Sequence, residues 1–282
     1  MSAPEHTVEL AGLTLAGPVL VASGCGGTGR ELASYGALAE LGGFVTRSLT
    51  LNPRAGGPVP RLWESPSGLL NAIGLQNPGV EQFLATEMPW LAQQGTRIVV
   101  SIVASTLGEY AELTRRVAGA PGVSAIEVNL SVPDAAGLGV FDVREPFHAA
   151  NVVAAVLRAL PRGVPLLAKL RPDPHRVVES ARCVLDAGAS AVVVGNSLLA
   201  AMPDGRPAGL SGPALRPVAL RCVTDVCRAL PEAEVVAAGG IGSAEEARAF
   251  LAAGARAVQI GTALLHDPTT AARVAADLRG AP

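Results

Sequence analysis

The chain is poor in charged residues, and its charges nearly cancel. Of its 282 residues, 16% are charged and 3% are aromatic. Lys and Arg together number 22 against 24 Asp and Glu, which gives a formal net charge of -2. A protein with so balanced a charge presents no broad cationic surface to a polyphosphate backbone. The composition therefore argues against a nucleic-acid-binding protein.

Cysteine and histidine are also scarce, with 4 of each. They are scattered along the chain, without a CxxC pair or any other spacing typical of zinc or iron-sulfur ligands. We therefore expect reduced thiols and no bound metal. The residues concerned are Cys25, Cys183, Cys222, Cys227, His6, His148, His175 and His266.

Long apolar runs are absent too. No segment approaches the roughly 20 apolar residues that cross a bilayer. The first residues, MSAPEHTVEL, lack the basic and apolar regions of a signal peptide. With 49% hydrophobic residues, a chain of this length can bury about three quarters of the surface that its unfolded form exposes. We predict a cytoplasmic globular protein that does not insert into a membrane.

Short apolar segments alternate with amphipathic segments of helical length. Runs such as VVVG and IVVSIV are typical of strands buried on both faces of a parallel sheet. The predicted strands cover 19–23, 43–50, 97–104, 125–131, 165–171, 191–197, 234–239 and 257–262. The predicted helices cover 30–41, 79–94, 107–119, 146–160, 174–187, 215–229, 243–253 and 267–279. This repeated βα unit predicts an α/β protein, a single-domain (β/α)8 TIM barrel over residues 1–282.

An open doubly wound sheet is the alternative fold. It would carry fewer strands and a dinucleotide fingerprint after the first one, and the turn SGCGGTG lacks that spacing. The segment VELAGLTLAGP predicts a β-hairpin that plugs the bottom of the barrel. Three long connections, 51–78, 132–145 and 198–212, would lie at the C-terminal mouth, where barrel enzymes assemble their active sites.

Glycines near the end of the chain indicate a phosphate site. Gly239 and Gly240 follow the seventh predicted strand, and Gly261 and Thr262 follow the eighth. Glycine lets backbone N–H groups approach a phosphate closely, and barrels often bind phosphate after these two strands. The competing interpretation is that these glycines only form tight turns.

Lys169 is the single lysine of the chain and lies in the apolar run LLAKLRP. A compact positive charge at a barrel mouth can form a Schiff base or can oppose negative charge on a cofactor. It can also be an ion-paired lysine of the barrel interior. Side-chain amides at Asn71, Asn77, Asn129 and Asn196, with Ser197, predict a polar cup suited to a flat heterocycle.

Motifs along nearly the whole chain resemble the soluble, class 1 dihydroorotate dehydrogenases. They are PVLVASGCGG, TRSLTLNPRAGGPVPRLWESPSGLLNAIGLQNPG, EVNLSVPD, KLRPD, GNSLLA, GLSGPALRPVAL, VVAAGGIGSAEEA and VQIGTA. They are most similar to the branch whose catalytic subunit pairs with an FAD and iron-sulfur electron-transfer subunit. The resemblance implies an FMN-containing barrel of pyrimidine biosynthesis that forms a homodimer.

The resemblance also implies roles for individual residues. Residues matching flavin-binding positions are Ala22, Ser23, Arg47, Ser48, Ser101, Asn129, Lys169, Gly195, Gly212, Gly239, Gly240, Gly261 and Thr262. Residues matching substrate-binding positions are Arg47, Asn71, Ala72, Ile73, Gly74, Leu75, Asn129, Asp134, Asn196 and Ser197. Lys169, Asn129 and Ser131 are the candidate catalytic residues. Lys169 would stabilise the reduced flavin. The absence of an amphipathic N-terminal extension argues against the membrane-bound, quinone-using branch.

The sequence departs from the family pattern where a proton must be moved. The family's run N-x-S-C-P-N supplies a cysteine base, but this chain has Val132 at that position. Asp134 replaces the amide that grips the substrate carboxylate, and two like charges repel. Arg47 stands where the family has lysine, and Ser101 where asparagine is expected.

Four functional hypotheses follow. We expect an FMN oxidoreductase that has diverged toward a less anionic, small cyclic or unsaturated substrate. The first alternative is a genuine dihydroorotate dehydrogenase in which Ser131, Cys25 or a mouth-loop residue serves as base. The second alternative is a non-catalytic flavin-binding subunit. A Schiff-base aldolase using Lys169 is the least supported.

Overall fold

The computed structural model describes residues 7–280. In chain order its strands are β1 (Val8–Leu10), β2 (Leu13–Leu15), β3 (Val19–Val21), β4 (Gly43–Val45), β5 (Leu62–Ser65), β6 (Gly68–Asn71), β7 (Ile98–Ile102), β8 (Val123–Asn129), β9 (Leu166–Leu170), β10 (Ala191–Val194), β11 (Leu198–Ala201), β12 (Pro207–Ser211), β13 (Val235–Ala238) and β14 (Ala257–Ile260). Its helices are α1 (Arg30–Ala33), α2 (Val80–Gln82), α3 (Met88–Leu91), α4 (Leu107–Ala118), α5 (Pro146–Leu157), α6 (Val177–Asp186), α7 (Arg216–Ala229), α8 (Ala244–Ala252), α9 (Ala263–His266) and α10 (Thr270–Gly280). The 3₁₀ turns span Leu38–Glu40 and Pro213–Leu215, and a π turn spans Phe83–Glu87.

Eight parallel strands close into a barrel. They follow one another around it in the order β3, β4, β7, β8, β9, β10, β13 and β14, and β14 pairs with β3. Barrel strands are apolar on both faces because one face packs against the helices and the other fills the interior. Val100 and Ile126, for example, belong to the large outer core, whereas Val99 and Leu167 belong to the inner layer. The (β/α)8 TIM barrel is confirmed.

The N-terminal hairpin closes the bottom of the barrel, as expected from the sequence. Strands β1 and β2 pair antiparallel, and Leu10 and Leu15 are only 2% and 1% exposed. Both side chains pack into the inner layer with Leu20, Val45 and Val99. The alternation within VEL and LTL thus places each leucine toward the interior.

Two of the long connections join into a small sheet above the mouth. Strands β11, β12, β6 and β5 form it in that order, and all of its pairings are antiparallel. The register of β6 with β12 places Asn71 opposite Gly209. We call this four-stranded unit the lid sheet. From sequence alone both connections are predicted to be loops, and the strands within them are a difference from that prediction.

Several helical predictions are wrong in their extent. The helix predicted over 30–41 ends at Ala33 and resumes as a 3₁₀ turn. The helix predicted over 267–279 starts later, at Thr270, because Asp267 precedes Pro268 and adopts an extended backbone. The short helix α9, which was not predicted, ends before it at His266. The helix predicted over 79–94 contains the π turn, next to Pro89, which has no N–H to donate. Within residues 7–280, none of the helices has the length and apolar character needed to cross a bilayer.

Candidate active site

A chain of hydrogen-bonded side chains crosses the barrel mouth. The Ser48 and Ser101 hydroxyl oxygens are 2.9 Å apart, and Asn129 Nδ2 donates to Ser48 Oγ at 3.0 Å. Ser131 Oγ donates to Asn129 Oδ1 at 3.2 Å, and Asn196 Nδ2 donates to Ser131 Oγ at 2.6 Å. These side chains come from, or directly follow, β4, β7, β8 and β10, whose carboxyl ends meet at one end of the barrel. We call this chain the polar seam.

Lys169 lies in the barrel interior with two polar partners. Its Nζ donates to Gln259 Oε1 at 2.6 Å and is 3.6 Å from Glu127 Oε1. Gln259 Nε2 in turn donates to Glu127 Oε2 at 2.7 Å. Lys169 is 4% exposed, Gln259 1% and Glu127 0%. Lys169 is therefore ion-paired, and it also adjoins the seam because it pairs in register with Asn129.

Sequence reasoning missed Glu127 and Gln259. The signal was present, since each is a lone polar residue within an apolar strand, AIEVN and AVQIG. Alternation along a strand places Glu127 and Asn129 on the same face. A polar side chain facing a barrel interior needs a partner from another strand. Only the closed barrel identifies that partner.

The glycine turn after β13 has a backbone that requires glycine. Gly239 and Gly240 have φ of +133° and +72°. A Cβ on Gly240 would lie 2.8 Å from Gly212 O and 2.7 Å from Arg216 Cβ. These glycines do form a tight turn, as the competing interpretation predicted. A tight turn is also compatible with a bound phosphate. Within residues 7–280, the amides of Gly240, Gly261 and Thr262 donate to no other group.

Arg216 adds a positive charge to this turn, and the sequence analysis did not single it out. Its Nη1 donates to Gly240 O at 3.3 Å and pairs with Glu246. Glu246 also completes the predicted capping box with Ser243 at the start of α8. Free amides beside a guanidinium form a fitting environment for a phosphate.

Cys25 lies next to Gly261 at the same mouth. A Cβ on Gly261 would be 3.4 Å from Ala22 Cβ and 3.5 Å from Cys25 Sγ. Burial raises the pKa of the Cys25 thiol to about 11, and the positive charge of Lys169 offsets only part of that effect. The thiol is therefore protonated near neutral pH and cannot act as an effective base there. Ser23, which precedes this turn, is half-buried.

The lid sheet brings two predicted substrate residues together. Asn71 Nδ2 donates to Gly209 O at 3.0 Å. A Cβ on Gly209 would be 2.2 Å from Ser197 Oγ, so the Ser197 side chain fits there because residue 209 is a glycine. The segment after Asn71 is held by backbone bonds, among them Gly57 N–H to Ile73 O at 2.9 Å. Ala72, Gly74 and Leu75 continue that segment.

The structure places Asn77 outside the predicted polar cup, which corrects that prediction. Its side chain is 3% exposed and is used within its own loop. Asn77 Oδ1 accepts from Gly79 N–H at 2.9 Å, and Asn77 Nδ2 donates to Leu75 O at 2.8 Å and to Thr50 Oγ1 at 2.9 Å. Asn77 therefore shapes the mouth loop and has no amide group left for a ligand.

Val132 occupies an apolar environment. It is 4% exposed and packs with Val103 and Val140, against which Leu75 also packs. Asp134 Oδ1 accepts from Gly137 N–H at 3.1 Å, so one carboxylate oxygen caps its own turn. That Asp134 faces the substrate stays a prediction.

Arg47 and Gly195 lie near the remaining edges of the mouth. Burial raises the pKa of Glu87, and the positive charge of Arg47 partly offsets this, which places Arg47 near the π turn. The buried Arg47 Nε has no hydrogen-bond partner among the described residues. A Cβ on Gly195 would be 2.8 Å from Pro172 Cβ, so this position also needs glycine.

Comparisons with known proteins show the family of this chain. A family model described as dihydroorotate dehydrogenase matches residues 6–281. The chain belongs to the dihydroorotate dehydrogenase family. Relatives named "Dihydroorotate dehydrogenase B (NAD(+)), catalytic subunit" include those of Pelobacter propionicus, 44% identical over 96% of this chain and 91% of that protein, and Desulforudis audaxviator, 46% identical over 97% and 91%. The solved structure of DHODH from Eimeria tenella in complex with ferulenol is similar in fold, with a TM-score of 0.79 and 22% identity over 98% of this chain and 84% of that one.

Members of the dihydroorotate dehydrogenase family are FMN-dependent oxidoreductases that act on CH–CH donors, and so is this protein. The residues present fit FMN. The glycine turn and Arg216 offer free amides and a positive charge to its phosphate, and Lys169 places a positive charge in the barrel interior next to the polar seam. The individual contacts predicted for the flavin-binding residues stay predictions.

Proposed function

We propose that this protein oxidises dihydroorotate to orotate as the catalytic subunit of a two-subunit dihydroorotate dehydrogenase. Identity of 40 to 46% over at least 96% of the chain to proteins that carry that name supports the proposal. This is the first alternative of the sequence analysis. The divergence to another substrate, which we expected there, has less support from the relatives.

Bound FMN would supply the hydride acceptor. The chain's own residues would bind and orient the reactants. The polar seam presents amide and hydroxyl groups from Asn129, Ser131 and Asn196, which can donate to and accept from a cyclic imide. Lys169 contributes a fixed positive charge in a site from which water is largely excluded.

The proton has to be taken up by a group other than Val132. Cys25 is protonated near neutral pH and is not part of the seam, and we assign this step to Ser131, whose hydroxyl would take the substrate's proton while giving its own to water. Ser131 is next to Val132 in sequence, and its hydroxyl lies in the seam, between Asn129 and Asn196. A hydroxyl is a weaker base than a thiolate. Positioned general bases typically contribute a factor of about 10² to 10⁴ in rate, so we expect slow turnover.

Electrons would leave to a separate subunit that carries FAD and an iron-sulfur cluster. The names of the relatives specify a catalytic subunit and NAD(+). Among the described residues, no three His, Cys, Asp or Glu side chains lie close enough to hold a metal ion. We further propose a homodimer that works in the cytoplasm.

A second candidate function rests on Val132 and Asp134. An apolar side chain at the base position and a carboxylate nearby favour a less anionic CH–CH substrate. One experiment distinguishes the two candidate functions. It is an anaerobic visible spectrum of the FMN-loaded protein before and after addition of dihydroorotate. Bleaching of the flavin band supports dihydroorotate oxidation and excludes a non-catalytic subunit. A band that dithionite bleaches and dihydroorotate does not would support the second candidate.

The role of Ser131 is tested by Ser131→Ala in the same assay. We expect bleaching by dihydroorotate to slow by a factor of at least about 10². Ser211→Ala is the matched control, because its hydroxyl bonds Leu69 O in the lid sheet and lies outside the seam. Equal rates in the two variants would remove Ser131 from proton transfer.

A further inference from the structure

The interior of the barrel holds one buried ion pair that is bridged by an amide. Glu127 on β8, Lys169 on β9 and Gln259 on β14 are each less than 5% exposed. Gln259 contacts both charged groups, accepting from Lys169 Nζ at 2.6 Å and donating to Glu127 Oε2 at 2.7 Å. The amide orientation is therefore fixed by its two partners. Of these three residues, the family resemblance implies a role for Lys169 and for neither Glu127 nor Gln259.

The spacing of this pair is unusual for a salt bridge. Lys169 Nζ and Glu127 Oε1 are 3.6 Å apart, and Glu127 Oε1 accepts no hydrogen bond among the described residues. Glu127 thus supplies the opposite charge that a buried ammonium needs, without taking one of its hydrogens. An ammonium has three N–H donors, and Gln259 occupies one. The other donors make no hydrogen bond to the described residues.

We propose that Glu127 and Gln259 are positioning residues for Lys169. Glu127 keeps the Lys169 side chain charged inside the barrel, and Gln259 fixes the ammonium between Glu127 and the mouth. The positive charge then exists before any cofactor is bound or reduced, so no reorganisation is required when negative charge develops. The proposal rests on FMN binding by this family and does not depend on which substrate is oxidised.

The single lysine makes the charge directly measurable. With ¹⁵N-labelled lysine, the protein gives one side-chain Nζ signal, whose chemical shift distinguishes an ammonium from a neutral amine. At pH 7 we expect an ammonium in the wild type and in Glu127→Asp, and a neutral amine in Glu127→Gln. An ammonium in Glu127→Gln would overturn the proposal, and so would a neutral amine in Glu127→Asp. The measurement works on the apoprotein and needs no turnover.

The flavin midpoint potential gives a second readout, with opposite signs for the two explanations. If Glu127 were only a nearby negative charge, Glu127→Gln would raise the potential, because reduced flavin would then meet less repulsion. If Glu127 holds Lys169 charged, the same variant lowers the potential. Glu112→Gln is the control, since this surface carboxylate pairs with Arg115 and Arg116 on its own helix. A raised or unchanged potential in Glu127→Gln contradicts the proposal.

A double variant keeps the test decisive if Glu127→Gln folds poorly. Removing one member of a buried pair leaves an uncompensated group, whereas replacing both relieves it. The variant Glu127→Gln with Lys169→Met should therefore unfold at a higher temperature than Glu127→Gln alone. A double variant no more stable than the single one would show that the two side chains are not coupled. None of these measurements uses dihydroorotate, so they are independent of the substrate proposal.

Discussion

Single side chains at the barrel mouth decide the chemistry that this chain can perform. Val132 cannot accept a proton, and it packs with the apolar side chains of Val103 and Val140. Asp134 is turned toward Gly137 N–H. The seam through Asn129 and Ser131 is nevertheless complete. The site thus retains its binding groups and lacks the family's base.

Restoring that base is the first prediction at this scale. Val132→Cys combined with Asp134→Asn should raise the rate of flavin bleaching by dihydroorotate by a factor of about 10² or more, because a thiol base is regained and a like charge removed. Stopped-flow absorbance under anaerobic conditions measures this rate. Val103→Cys is the control, as it puts a thiol in the same apolar cluster away from the base position. No gain in the double variant would mean that the pocket is shaped for another substrate.

The Cys25 thiol predicts a pH dependence of stability. Burial raises its pKa from 9.0 to about 11, so the folded protein binds this proton more tightly than the unfolded chain. Its contribution is therefore complete below about pH 9 and is lost as the pH rises through about 11, at about 1.4 kcal/mol per unit of pKa difference. Urea unfolding of the apoprotein between pH 8 and pH 11 should show this loss. It should be smaller in Cys25→Ala and unchanged in Cys183→Ala, a half-buried cysteine on α6.

At the scale of elements, capping and loop pairing build the mouth. Helices α4 and α8 both begin with a hydroxyl residue that accepts an N–H from the third residue of the helix. Only α8 starts beside the glycine turn, where Glu246 also pairs with Arg216. The two helices therefore share a stabilising device, and one of them adjoins the proposed phosphate site.

Replacing the two cap residues separates these roles. Ser243→Ala and Thr106→Ala should each lower the free energy of unfolding by about 1 kcal/mol, since each leaves a helix amide unsatisfied. Only Ser243→Ala should also weaken FMN binding, because Glu246 and Arg216 lose their fixed geometry. Chemical denaturation and flavin titration measure the two effects. Equal FMN affinity in both variants would place the phosphate elsewhere.

At the scale of the whole molecule, the hairpin and the barrel form one packed interior. Leu10 and Leu15 join the inner layer formed by strands from around the barrel. Truncating a buried leucine removes apolar contacts and leaves a cavity. The interior therefore links the first strands of the chain to the stability of the entire barrel.

Leu10→Ala should accordingly destabilise the protein by about 2 to 5 kcal/mol, and urea denaturation measures the change. Leu62→Ala is the control, because Leu62 is 44% exposed on the lid sheet and should cost well under 1 kcal/mol. A small effect of Leu10→Ala would mean that the hairpin does not pack into the barrel.

Local sequence patterns were sufficient for the fold. Apolar strand segments separated by amphipathic helices have one common closed arrangement, and Ser243 with Glu246 fixed a helix start from residues three apart. The patterns missed the short helix α9, placed the start of α10 before Pro268, and did not find the strands in the two connections that form the lid sheet. The pairing that joins these two connections, β6 with β12, brings together Asn71 and Gly209, which are 138 residues apart, and no local pattern reveals it.

The sequence by itself determined the barrel, the glycine turn at Gly239 and Gly240, the isolation of Lys169 as the one lysine, and the loss of the base at Val132. Only the tertiary structure decided which groups these side chains contact. Closure of the barrel brings Glu127 and Gln259 to Lys169 from strands far apart in the chain. The Asn77 side chain forms its hydrogen bonds with Leu75 and Gly79 of its own loop. A side chain's chemistry is a local property, whereas the group that satisfies it is set by long-range packing.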